Sequence, residues 1–288
     1  MSGLRIRTNI TAAFSQRLLT ETTNRLNKSI ERLSSGLRIN RAADDAAGFG
    51  ISERMRTQVN GLSQAKRNAQ DGVSLIQVAE GGLAQISTML QRLRTLAVQA
   101  ANDTNTTADR RVIQTEVNQL LSEIDRQASA TNFNGRVLLT GTFATGQSSL
   151  VFQIGANKGE KIAVHIASVS TSGLKIDGFN VTNPSSATQG GFITQKGAES
   201  AITMIQNAID TVSRQRGDLG AIQNRLENVI DFVGISNENI TAAESRIRDA
   251  DFAEEIVKFT KDQILQQTGI SALSQANIGP QVVLSLLQ

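Results

Sequence analysis

Apolar residues recur every seventh position along much of this chain, and almost nothing interrupts them. Leu62, Ala69, Ile76, Leu83, Leu90 and Ala97 form one row. Ala65, Gly72, Ala79, Ile86, Leu93 and Ala100 form a second row three residues behind it. A paired row of this kind, sustained over many turns, is the signature of a coiled-coil helix. Its many small residues permit close helix approach. The C-terminal half repeats the period through Ile205, Val212, Leu219, Leu226, Val233, Ile240 and Ile247, with Ile202, Ile209, Ile222 and Val229 in support. Only two prolines occur, Pro184 and Pro280, and both lie outside these rows. Helices over 62–100 and 198–248 would be roughly 58 and 76 Å long at about 1.5 Å per residue. A compact globule of this chain length is only roughly 50 Å across. The pattern therefore predicts a mainly α fold of long antiparallel coiled-coil helices forming a rod, with Gly81-Gly82 and Gly217 as the points where a helix could bend.

Two shorter helical patterns accompany the long ones. Ile113, Val117, Leu120 and Ile124 predict a helix over about 108–130. Leu19, Leu26 and Leu33, flanked by Ile30 and Leu37, mark another near the start. Between 135 and 197 the heptads vanish and β-type runs appear at Arg136–Leu139, Ser149–Ile154 and Lys161–Ile166. The run Gly155–Glu160 between the last two reads as a hairpin loop. Asn183-Pro184-Ser185-Ser186 and Gly190-Gly191 read as a surface loop. The chain thus goes out in helices, makes a small β excursion and returns in a helix, which puts the β-hairpin-containing region at one end of the rod. Five segments follow: 1–40, 41–134, 135–197, 198–250 and 251–288.

Charge is divided unevenly. Residues 1–70 hold 12 Lys/Arg against 5 Asp/Glu, while residues 198–262 hold 7 against 12. That asymmetry favours the N-terminal part lying against the C-terminal part. The ends carry little charge: from Gln263 to Gln288 there is none, and residues 8–24 hold only Arg17 and Glu21. Uncharged amphipathic tails of this kind suit burial between chains.

The chain is poor in reactive chemistry. It has no Cys, Trp or Tyr and a single histidine, His165. Cysteine-ligated metals, disulfides and multi-histidine metal sites are excluded, and stacking platforms for nucleic acid are poorly supplied. His165 lies in a strand-like run and reads as structural. A net charge of +3 is too mild to argue for nucleic acid. Gly48-Phe49-Gly50 lacks the context of a nucleotide-binding loop, and Asp44, Asp45 and Glu53 sit among Arg38, Arg41, Arg54 and Arg56, where ion pairing or helix capping is the better reading. No enzyme and no cofactor are expected. No apolar stretch is long enough to span a bilayer, and none follows Met1–Arg7 in the manner of a secretory signal. The expectation is a protein that stays inside the cell or leaves by a route that reads no cleavable signal.

The motifs Leu33-Ser34-Ser35-Gly36-Leu37-Arg38-Ile39-Asn40, Ala42–Gly48, Leu93–Asn102, Phe133-Asn134-Gly135, Ala243–Asp251 and Leu284-Ser285-Leu286-Leu287 together resemble the bacterial flagellins. The resemblance covers about residues 1–140 and 198–288, with a short central region of the minimal kind. It implies a structural subunit that polymerises into the helical flagellar filament, extracellular and without a cleavable signal. The implied inner core of that filament takes Leu18, Leu19, Leu26, Leu33, Ile264, Leu265, Leu273, Val283, Leu286 and Leu287. Implied partners are further copies of the chain, an export chaperone, the type III export apparatus, and the filament cap and hook-junction proteins. Host innate immune receptors are implied as well, through a patch at Arg92, Leu96 and Glu116 beside Thr95, where the family usually has Glu. The alternatives are a hook–filament junction protein and a secreted coiled-stalk adhesin.

Overall fold

A computed structural model describes residues 8–146, 148–179 and 191–285, with side chains as far as 278. Among the described residues, five helices dominate: α1 (Ile10–Ser35), α2 (Ala46–Ala101), α3 (Thr107–Ala130), α4 (Gln195–Arg248) and α5 (Phe252–Ser285). Four short strands lie between α3 and α4 among the described residues: β1 (Asn132–Phe133), β2 (Arg136–Val137), β3 (Leu150–Gln153) and β4 (Lys161–Val164). The chain divides into two compact units, Asn60–Asn237 and Met1–Val59 with Glu238–Gln288.

Helix boundaries follow from side chains that satisfy the orphan N–H groups of a first turn. The Asn9 side chain accepts from the Ala12 N–H at 3.0 Å, and Gly36 ends α1 in the left-handed conformation at φ 74°. Asp45 accepts from the Gly48 N–H at the start of α2. Thr106 and Asp109 form a reciprocal capping box on α3. Thr194 and Asp251 cap α4 and α5 through the N–H groups of Gly197 and of Ala253 and Glu254.

In the unit 60–237 the heptad rows are the buried rows. Every apolar member of both α2 rows is buried, as are Ile205, Val212, Leu219, Leu226 and Val233 of α4. The two helices run antiparallel: Asn237 bonds Ser63, Leu226 abuts Gly72, and Arg216 pairs with Glu80 at 3.4 Å. Helix α3 adds Ile113, Val117, Leu121, Ile124 and Ala128 to the same core, while Leu120 is half-buried. Gly81-Gly82 and Gly217 interrupt nothing, since α2 and α4 continue through them. Gly82 is needed for proximity instead: a Cβ there would stand 2.6 Å from Thr131 Oγ1 and 2.9 Å from Leu139 Cδ1.

The β excursion is smaller than its sequence pattern. Arg136-Val137 pairs with Asn132-Phe133 across Asn134-Gly135, both at positive φ, the pairing that a two-residue turn of mirror-image type requires. Leu138 and Leu139 leave the strand and fill the core. β3 and β4 form an antiparallel hairpin with Val151 opposite Ala163 and Gln153 opposite Lys161. Among the described residues, four polar side chains moor this region to the helices, one of them Asn68, which donates to the Gln153 carbonyl at 3.0 Å. Gln215 donates to the His165 carbonyl and accepts from the Ala167 N–H, and Asp125 accepts from the N–H and hydroxyl of Thr171. Gln114, nearly fully buried, donates to the Phe179 carbonyl and accepts from the Phe192 N–H. The His165 side chain is exposed, and only its backbone takes part in this mooring.

Candidate assembly surface

The unit built from the two ends of the chain packs α1 against α5. A helix pair in a monomer buries its apolar stripe and exposes its polar face. Here much of that order is inverted. The residues that α1 buries are Thr22, Leu26 and Ser29, and α5 buries Glu255 and Asp262. Ser29 donates to Glu255 at 2.7 Å, Arg25 donates to Asp262 at 3.3 Å, and Arg32 stands 3.6 Å from Glu255. The Nε of Arg32 is buried without a hydrogen-bond partner. The contact is tied at both ends. The Asn9 amide donates to the Ala276 carbonyl at 2.8 Å. Beyond α1, Leu37 bridges Asp249, Arg38 N–H donates to the Arg248 carbonyl at 2.6 Å, and Ala250 N–H donates to the Gly36 carbonyl.

The apolar side chains of this pair face outward. Leu18 keeps 46% of its surface, Phe14 52% and Ile264 60%, and Ile10, Leu265, Ile270 and Ile278 are also exposed. Of the residues singled out from the sequence, Leu26 is buried and Leu19, Leu33 and Leu273 are half-buried. Leu19 meets the α5 backbone at Gly269, where a Cβ would lie 3.3 Å from its Cδ1. Leu18, Ile264 and Leu265 point to solvent. The Val283 side chain, Leu286 and Leu287 lie outside the described residues.

Most of the acidic and basic residues near 38–56 are partnered in ion pairs and helix caps. Lys28 approaches Asp44 at 2.8 Å, and this contact, helped by the N–H groups of Arg41 and Asn40, lowers the Asp44 pKa to about 2. Arg41 pairs with Glu31, Arg56 with Glu53, and Arg248 with Glu53 at 3.0 Å, its guanidinium over the Phe49 ring. In the other unit Arg92 and Glu116 form an exposed pair at 2.7 Å, which raises the Arg92 pKa. Thr95 is exposed, but Leu96 beside it is buried in the core. Among the described residues no three His, Asp or Glu side chains gather as a metal site would need. None of their helices is long and apolar enough to cross a membrane.

The leucine pattern singles out inward and outward side chains together, Leu26 and Leu18 among them, and passes over the polar interior. Glu255 and Asp262 are seven residues apart, and Thr22, Leu26 and Ser29 follow 4-3 spacing. The seam between α1 and α5 was therefore visible as a heptad of polar residues.

A helix pair whose interface mixes a few leucines with buried hydroxyls and ion pairs, and which leaves many large apolar side chains outward, suits a subunit that is completed by assembly. The comparisons specify which. Residues 6–144 match the bacterial flagellin N-terminal helical region and residues 202–287 match the bacterial flagellin C-terminal helical region. The chain is 46% identical to the flagellar filament 33 kDa core protein of Treponema phagedenis, over 97% of this chain and 98% of that one. It is 44% identical to a flagellin of Bacillus subtilis, over 99% and 100%. A putative flagellar hook-associated protein of Vibrio parahaemolyticus shares the fold at a TM-score of 0.56 and 15% identity, covering 72% of this chain and 100% of that one. This chain belongs to the bacterial flagellin family, a family of structural, non-enzymatic filament subunits.

Proposed function

We propose that the chain builds its filament by burying the outward apolar side chains of α1 and α5 between copies, so that the terminal helix pairs form the inner core of the tube. The observation that carries this is the inverted helix pair, with Leu18, Phe14 and Ile264 exposed around an interior of Ser29, Glu255 and Asp262. Exposed apolar surface on this scale is costly in water and marks an interaction site. Each buried aliphatic side chain contributes roughly 1.5–3 kcal/mol, and repetition along a helical polymer adds many such contacts. Leu19, Leu26, Leu33 and Leu273 steady the pair from within, while Leu18, Ile264 and Leu265 meet the neighbours. Val283, Leu286 and Leu287 extend the same uncharged stretch.

The finer partners follow from the resemblance. Export proceeds unfolded through a type III apparatus with a chaperone on the C-terminal segment, and elongation takes place under a cap, on a base of hook-junction proteins. Host receptors would read Arg92 and Glu116 at the surface; Leu96 supports that patch from beneath. The test is seeded growth of purified monomer on short filaments. The full chain elongates, and a chain truncated before Gln263 does not, while α2 to α4 keep their helicity. Normal filaments from the truncated chain would refute the inner-core role.

A further inference from the structure

The unit 60–237 has two exposed faces whose chemistry does not fit a chain standing alone. The first lies on α4. Phe232 keeps 69% of its surface and Ile235 62%, and at i, i+3 they form one apolar patch on a helix whose other large apolar side chains between 219 and 233 are buried or half-buried, with Arg225 exposed two turns before Phe232. Glu227 and Asp231, one turn apart beside the patch, form no ion pair among the described residues. The second face is the outer side of the β3–β4 hairpin. Leu150, Ile162 and Val164 point into the core, so their alternates Val151 and Ala163, opposite one another in register, point out. Lys161 shares that outer side, and Lys158 sits in the loop. Both are exposed and neither forms an ion pair among the described residues.

One face is apolar with two carboxylates outside any ion pair among the described residues, Glu227 accepting from the Gln223 amide at 2.9 Å, and the other is apolar with two ammonium groups likewise outside any ion pair. Within one copy neither covers the other, since both stay exposed. A contact between two different patches on identical chains is heterologous, and repeated heterologous contacts generate a helical array and not a closed dimer. We propose that the α4 face at Glu227, Asp231, Phe232 and Ile235 receives the hairpin face at Val151, Lys158, Lys161 and Ala163 of a second copy. This rests on the reading of the chain as a self-assembling subunit and adds a contact outside the terminal helices. The apolar pairs supply the desolvated centre, and Asp231 with Lys161 sets orientation and approach.

The experiment is elongation of full-length monomers on sheared filaments of the unchanged chain, with thermal melting of each monomer alongside. Phe232→Ser and Asp231→Lys replace exposed side chains, so the monomer melts as before. Each is expected to slow elongation about tenfold or more, the loss typical of a central contact residue. Lys161→Glu alone slows growth similarly, and the double variant Asp231→Lys/Lys161→Glu, grown on its own seeds, recovers most of the rate. Full-rate growth of Phe232→Ser and Asp231→Lys beside a growing unchanged chain would overturn the contact. Slow growth of the double variant would overturn the pairing of these two faces, pointing to a different partner for α4. If the unchanged chain itself never elongates, the assembly reading falls, and the contact falls with it.

Discussion

Two adjacent glycines in the middle of α2 offer a sharp test of how the core is built. Gly81 and Gly82 share a helix, a backbone conformation and a neighbourhood, and they differ in what their missing Cβ would meet. At Gly81 nothing lies within 4 Å. At Gly82 the new atom would stand 2.6 Å from Thr131 Oγ1, 2.9 Å from Thr131 Cγ2 and 2.9 Å from Leu139 Cδ1. Neither neighbour yields cheaply. Thr131 closes the end of α3, its hydroxyl bonded to the Gln127 carbonyl at 2.8 Å, and Leu139 is fully buried. Replacing glycine by alanine inside a helix stabilises by about 0.8–1 kcal/mol. Gly81→Ala should show that gain. Gly82→Ala should carry the same gain against an overpacking cost of about 1–3 kcal/mol, for a net loss of up to about 2 kcal/mol. Because helix propensity is common to both, the difference between the variants isolates the steric cost. For a unit of this size each kcal/mol moves the melting temperature by about 2–4 °C, so a central cost near 2 kcal/mol separates the variants by about 4–8 °C. The assay is far-ultraviolet circular dichroism of monomer on heating, at a concentration too low for assembly. Equal melting temperatures, or a Gly82→Ala protein more stable than Gly81→Ala, would refute the account of why a glycine stands at 82.

Three further substitutions probe other parts of the chain. Gln114→Leu removes the side chain that bonds the Phe179 carbonyl and the Phe192 N–H; leaving two buried backbone groups unpaired should cost about 2–4 kcal/mol, read as faster hydrogen exchange at Phe192. Leu226→Asp places a charge in the α2–α4 seam, where Leu226 is fully buried; a loss of about 3 kcal/mol or more is expected, and an unchanged melting temperature would contradict the seam. Asp44 ionises with its pKa lowered from 3.8 to about 2, so its contribution is complete above pH 4 and fades as pH falls toward 2. Lys28 is half-exposed, which screens the pair, and the contribution is on the order of 1 kcal/mol. Asp44→Asn should therefore flatten the stability profile between pH 4 and 2, and an acid limb identical to that of the unchanged chain would show that the pair contributes nothing.

The long helices were legible because one physical demand, a continuous buried stripe, governs α2 and α4 along much of their length. Ala69, Ile76, Leu83 and Leu90 are apolar at every seventh position because each faces the same partner. The β excursion was legible only in outline. Arg136–Leu139 has the composition of a strand, but the mirror-image turn at Asn134-Gly135 permits two pairs, after which Leu138 and Leu139 gain more by entering the core. Gly81-Gly82 was misleading for the opposite reason. A glycine pair lowers helix propensity by about 2 kcal/mol in total, yet the packing of α2 on both sides outweighs it, and the close approach of Thr131 and Leu139 requires Gly82.

The terminal helices follow the same logic only in part, and the reason bears on function. The seven-residue row of α1 is Leu19, Leu26 and Leu33, and Leu18 stands one position off it. The structure separates them. Leu19 turns toward Gly269 and Leu18 toward water, while Ser29, Glu255 and Asp262 occupy the seam. A seam of hydroxyls and ion pairs is weaker than one of leucines, since desolvating Glu255 offsets much of what its partners return. It is also directional: Ser29 with Glu255 and Arg25 with Asp262 fix one register for α1 on α5 while Phe14, Leu18 and Ile264 stay exposed. On the proposed assembly, that division leaves the outward side chains for neighbouring copies. A leucine seam would satisfy the pair internally and leave nothing for the neighbours. The polar seam keeps Phe14, Leu18 and Ile264 available and still presents them in a fixed arrangement. Replacing Ser29 and Glu255 with leucine should therefore raise the helicity of the isolated terminal pair and at the same time slow elongation, because the gain comes from satisfying α1 and α5 before a second copy arrives.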